Sequence, residues 1–199
     1  MQDTKERIML VSLKLFAQDG YEAVSVRAIA GQLGVTQGAL YKHYKNKRDI
    51  FDSIVARMME NDVELAKEFG VPTGTFREME EMYRQTTFLN IKAFSIAVFR
   101  YWTEDEFASN FRKLLTLEQY RNPEMAKLLR QYLTEGVIGY AEDLFREAAE
   151  LSYSNRNKDP KILALEYFAP IYMMMTLYDG AENKGEAVQM VEKHIDYFM

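Results

Sequence analysis

At 199 residues, 48% apolar and 28% charged, the chain has the composition of an ordinary globular protein, with room for one large domain or two smaller ones. It holds no cysteine and only two histidines, which excludes a disulfide framework and a thiolate metal site and suits a reducing cytoplasm. The net charge of −5 is uneven: the first fifty residues carry eight basic side chains against five acidic ones, leaving −8 on the rest, a basic head on an acidic body that suits contact with a polyanion at one end. No apolar run is long enough for a membrane span, and MQDTKERIML carries too many charges for a secretory signal.

In chain order, the first predicted helix runs from about Thr4 to Gln18. Ile8, Val11, Leu15 and Phe16 form its inward stripe, Asp3 with Glu6 makes a capping box, and Gly20 ends it. Tyr21 and Val24 lead to a second helix that Ser25 caps. There Val26, Ile29, Ala30 and Leu33 recur at i, i+3, i+4 and i+7. Gly34 is placed as its C′ residue, because glycine takes the left-handed backbone at little steric cost. Val35 plugs the turn, Thr36 caps a third helix, and Leu40 and Tyr44 hold that helix to the second, with small Ala30 at the crossing. This is the spacing of a helix-turn-helix. The third helix exposes Gln37, Gly38, Ala39, Tyr41, Lys42 and His43, which suit base edges and phosphates.

Asn46 caps a long helix reaching about Phe69, with Ile50, Phe51, Ile54, Val55, Met58, Leu65 and Phe69 inward. Lys47 and Arg48 sit in its first turn, where the helix dipole disfavours cations. That placement points to an external anion such as a phosphate, or to a solvated charge run. GVPTG at 70–74 breaks the pattern. Beyond it every segment reads as helix, with starts at Thr75/Glu78, Thr103/Glu106, Asn122-Pro123, Asp159-Pro160 and Asn183/Glu186. The body is rich in aromatics, either as core or as walls of a cavity for a lipophilic ligand. Tyr83, Phe88, Phe99, Trp102 and Tyr132 are the pocket candidates. From Ile162 to Leu177 apolar residues occur all round, and Pro170 should kink that helix. Phe168, Tyr172, Met175, Met190, His194 and Phe198 are therefore candidates for a homodimer interface, two helices from each subunit forming a four-helix bundle.

Phe16, Gly20-Tyr21, Val26, Ile29-Ala30, Leu33-Gly34-Val35 and the run from Gly38 to Tyr44, with Lys47 and Phe51, resemble the DNA-binding domain of the TetR family of bacterial transcriptional regulators over residues 4–51. The resemblance implies an all-α protein: a three-helix DNA-binding domain over 1–50, then a helical ligand-binding and dimerisation domain over 51–199. It implies base reading by Gln37, Gly38 and Ala39, phosphate or edge contacts by Tyr41, His43 and Lys47, and flanking contacts by Arg27 and Thr36. Lys42 joins these as a candidate because specificity at Gly38 and Ala39 has so little side chain to rest on. The expected protein is a cytoplasmic homodimeric repressor, released from a pseudo-palindromic DNA operator by a small-molecule inducer that shifts the helix beginning at Asn46. The alternative is a DNA-binding module without inducer, governed by a protein partner. No catalytic residue, cofactor, metal or membrane contact is expected: no metal-spaced ligand cluster and no Gly-rich phosphate loop is present.

Overall fold

A computed structural model describes residues 4–147 and 158–198. Among these residues there are helices only: α1 (Thr4–Asp19), α2 (Val26–Leu33), α3 (Gln37–Tyr41), α4 (Lys47–Glu68), α5 (Phe76–Gln85), α6 (Phe88–Glu104), α7 (Glu106–Glu118), α8 (Pro123–Leu133), α9 (Glu135–Glu147), α10 (Pro160–Gly180) and α11 (Lys184–Phe198). Asp3, the expected partner of Glu6 in a capping box, lies outside the described residues.

Most of the predicted ends have the expected chemistry. The Ala28 amide donates to Ser25 Oγ at 3.1 Å, and the Ala39 amide to Thr36 Oγ1 at 3.2 Å. Gly34, at φ 70°, closes α2 in a Schellman turn, its amide donating to the Gly31 carbonyl and the Val35 amide to that of Ala30. Asn46 Oδ1 accepts from the Asp49 amide, and Thr75 donates to Glu78 through both its amide and its hydroxyl. Those bonds hold the Glu78 carboxyl below its usual range. Thr103 departs from expectation. It lies inside α6 and its hydroxyl donates to the Phe99 carbonyl, so α6 runs on to Glu104 instead of restarting there.

The chain divides into two compact units, 1–62 with 106–129, and 63–105 with 130–199. The division differs from the expected break after residue 50, because α7 packs along α1 and so joins the N-terminal helices. In this first unit α1 buries Ile8, Met9, Ser12, Leu13 and Phe16, while Val11 and Leu15 stay half-buried. A helix flanked by α2 on one side and α7 on another needs a wider buried face than a single stripe. Ile29, Leu40, Ile50, Phe51 and Ile54 complete that core. In the second unit α10 is the central helix, packed on α9, α11 and α6. It runs on through Pro170, where one ladder hydrogen bond is lost.

Two glycines separate backbone need from packing. Gly20 has φ 88°, and a Cβ there would sit 2.7 Å from Glu118 Oε1. Gly31 lies within α2 with open space around it. Denaturant unfolding should therefore show Gly20→Ala destabilising by about 1–3 kcal/mol and Gly31→Ala stabilising by up to about 1 kcal/mol.

Candidate nucleic-acid interface and body cavity

The Schellman turn at Gly34 and the Thr36 cap set the angle at which α3 leaves α2, and Leu40 at 0% exposure pins α3 to the core. Tyr44 is buried just beyond it, its hydroxyl donating to the Lys5 carbonyl at 3.2 Å. With that side anchored, Gln37, Gly38, Tyr41, Lys42 and His43 are exposed together, with Ala39 half-buried among them. Arg27 and Thr36 are exposed as well, although the Thr36 hydroxyl also serves as the cap.

Lys47 is placed differently from the others. Its ammonium donates to the Tyr21 carbonyl at 2.8 Å, lies 4.3 Å from the centre of the Tyr21 ring and pairs with Glu22 at 3.8 Å. Arg48 makes a two-pronged pair with Glu124, both contacts at 2.6 Å, and reaches Asp52 at 2.7 Å. These bonds push the Arg48 pKa still higher. The electrostatic cost of two cations in the first turn of α4 is thus offset within the chain, by carboxylates and by a carbonyl.

The same cluster holds the α1–α2 turn. The Tyr21 amide donates to Glu118 Oε1 at 2.8 Å, and its ring packs between Phe16 and Phe51 at 5.1 and 5.4 Å. Burial pushes the Tyr21 phenol above its ordinary pKa. Glu118 is 4% exposed, a carboxylate whose role reading from sequence missed. Its contact is 97 residues distant along the chain, and no local pattern encodes it.

In the second unit α6, α9 and α10 enclose a cavity of about 50 Å³. Ile91, Phe94, Ser95 and Val98 line it from α6, Val137, Tyr140, Ala141, Leu144 and Phe145 from α9, and Tyr167, Phe168 and Ile171 from α10. Its volume is far below the roughly 300–1,000 Å³ of pockets for drug-sized ligands. Tyr83, Phe88, Phe99, Trp102 and Tyr132 do not line it. Tyr83 is buried with its hydroxyl on the Gly74 carbonyl, Phe99 packs edge-on to Tyr178, and Trp102 meets Tyr132. Phe88 is half-buried at the start of α6.

The residues expected at a dimer interface are also divided. Phe168 and Met175 are buried in their own unit, and Phe198 packs on Phe145 and Tyr167. His194 donates through Nε2 to the Tyr167 carbonyl at 2.9 Å, and Tyr172 is half-buried. Met190 alone of the six is exposed, together with Ile162, Leu165, Met173, Leu177 and Tyr197, none of which was among the candidates. Their spacing along α10 places 162, 165, 173 and 177 on one helix face.

Residues 8–54 match the sequence profile of bacterial regulatory proteins of the TetR family. The transcriptional regulator AcrR of Shigella flexneri is 39% identical over 83 residues, 39% of this chain and 39% of AcrR, so the match spans about two fifths of that relative's length. A TetR-family regulator from Marinobacter aquaeolei VT8 superposes with a TM-score of 0.66 at 19% identity, over 100% of this chain and 92% of its own. SmeT, the repressor of the Stenotrophomonas maltophilia multidrug efflux pump SmeDEF, superposes at 0.64 with 20% identity, over 99% of this chain and 89% of its own, and has also been solved with triclosan. Residues 8–54 are thus similar to the helix-turn-helix segment of TetR-family regulators, and over its whole length the chain has the fold of those structures. Among the described residues no helix is long and apolar enough to cross a membrane.

Lys42 and Lys47 should separate in a thermal melt without DNA. Lys47→Ala removes a part-buried hydrogen bond and should cost about 1 kcal/mol. Lys42→Ala, at an exposed site, should stay within about 0.5 kcal/mol of the parent.

Proposed function

We propose that this chain is a cytoplasmic, homodimeric transcriptional regulator, a repressor that a small lipophilic ligand releases from a pseudo-palindromic operator. The observation that carries the reading is the exposed face of α3, with Gln37, Tyr41, Lys42 and His43 held outward by the caps and by buried Leu40. A helix so presented suits the major groove, and two copies related by a dimer axis suit half-sites about one helical turn apart, roughly 34–36 Å. Gln37 is the base reader in this scheme, and Tyr41, Lys42 and His43 grip phosphates.

The apolar face of α10 and α11 supports the dimer. Met173 is 57% and Leu177 54% exposed in the single chain, a placement that a second copy would cover. The cavity in the second unit supports a ligand, as does the triclosan complex of SmeT, a protein of the same fold. Residues of α4 belong to both units, as do those of α8, which makes α4 one element through which occupancy of one would act on the other. One observation favours a partner-regulated module without inducer instead: the cavity is small.

Selection of genomic DNA fragments by the purified protein should recover a palindromic site. Lys42→Ala should weaken binding to every sequence and lower the salt slope by about 1, whereas Gln37→Ala should relax choice at one base pair by about 1–3 kcal/mol. Recovery of DNA without sequence preference would overturn the reading. In analytical ultracentrifugation the parent should sediment as a dimer and Met173→Glu should shift it towards monomer, because the substitution sets a carboxylate in the apolar face.

A further inference from the structure

We propose that the cavity between α6, α9 and α10 takes a neutral lipophile of single-ring size that carries one hydroxyl group, received by the Ser95–Tyr167 pair. The inference rests on the ligand-responsive reading above and names the chemistry of its ligand. Among the described residues no Asp, Glu, Lys, Arg or His lines this cavity. An ionised ligand would lose its hydration there with no counter-charge to replace it. Aromatic faces from Phe94, Tyr140 and Phe145 offer a cation less than that desolvation takes away. The charge of the ligand is therefore decided by what the wall lacks.

The hydroxyl requirement comes from the Ser95–Tyr167 pair, which with the Tyr140 hydroxyl supplies the side-chain polar groups of a mainly apolar wall. Tyr167 donates its phenol hydrogen to Ser95 Oγ at 2.9 Å. A serine hydroxyl has one hydrogen and two lone pairs, so this bond leaves a donor and an acceptor for a bound molecule. A ligand hydroxyl matches both, and an ether or a hydrocarbon does not. Tyr167 is itself held fast: its carbonyl accepts from His194, and its ring packs on Phe145 at 5.2 Å and on Phe198 at 5.0 Å. Burial raises the Tyr167 phenol to about 12, so it remains a donor at neutral pH.

Size follows from the space. A cavity of about 50 Å³ is smaller than one that holds benzene, roughly 150 Å³, so even a single ring must displace wall atoms. Phe94 and Val98 on α6 and Val137 and Tyr140 on α9 are half-buried and so have the most room to yield, while Phe145 and Tyr167 are buried in the core.

Isothermal titration of the full chain with 4-ethylphenol, ethylbenzene and phenyltrimethylammonium tests this. The phenol should bind about five- to tenfold more tightly than the hydrocarbon, the worth of one net hydrogen bond, and the ammonium more weakly than either. Ser95→Ala should bring phenol and hydrocarbon within about twofold, and Tyr167→Phe should narrow the gap in the same direction. Ser95 is half-buried, so its variant keeps the test open if Tyr167→Phe fails to fold. An ammonium that binds as tightly as the phenol, a phenol preference that survives Ser95→Ala, or no binding by any of the three overturns the inference. DNA selection on the same preparation reads separately: its failure strikes the regulator reading and leaves the three affinities to be judged by themselves.

Discussion

The turn at Gly20-Tyr21 is the constraint on which the helix-turn-helix unit depends. Its backbone is gripped from two sides, the Tyr21 amide by Glu118 and the Tyr21 carbonyl by Lys47, while the Tyr21 ring fills the gap between Phe16 and Phe51. The left-handed backbone at Gly20 is what brings the chain close enough to Glu118 for the first of these bonds. This turn determines where α2 begins, and α2 in turn sets the start of α3. A buried carboxylate on α7 thereby acts, through ordinary hydrogen bonding, on the placement of Gln37 and its neighbours. A buried carboxylate needs hydrogen-bond donors such as the Tyr21 amide, which makes the contact costly to break and well suited to holding one geometry.

The cations at the start of α4 carry a related lesson. A lysine and an arginine beside the positive end of a helix look like a site for an external anion when only the sequence is considered. In the folded chain both have partners within the chain, and Asp49 supplies a negative charge to the same first turn. The exposed side chains of α3, which have no such duties, are the better candidates for contact with DNA. In the body, Tyr83, Phe99, Trp102 and Tyr132 are buried core while Phe88 is half-buried, and the cavity is walled instead by Phe94, Tyr140, Phe145, Tyr167 and Phe168. Large size alone does not distinguish a ring that fills a core from one that borders a void, since both are apolar and both are helical in spacing.

The all-helical architecture, the helix-turn-helix and the starts of most helices, though not those of α6, α7 and α9, were determined by the sequence alone. These are local properties. A Ser, Thr, Asn or Asp reaches the amides two or three residues on, a glycine admits φ 70° at residue 34, and apolar side chains repeat with the period of the helix. The exposed candidates on α3 were legible for the same reason: a short helix held by Leu40 leaves little choice about which side chains face outward.

Tertiary structure decided everything that depends on residues far apart in the chain. It grouped 106–129 with the N-terminal helices, engaged Lys47, Arg48 and Glu118 with partners inside the chain, and placed Ser95 beside Tyr167 across 72 residues. It also decided which side of α10 is buried and which is exposed, a choice that spacing alone leaves open because both sides are apolar. The physical reason is common to all of these. Helix periodicity and capping are written within one or two turns, whereas a long-range contact exists only once packing has brought distant segments together.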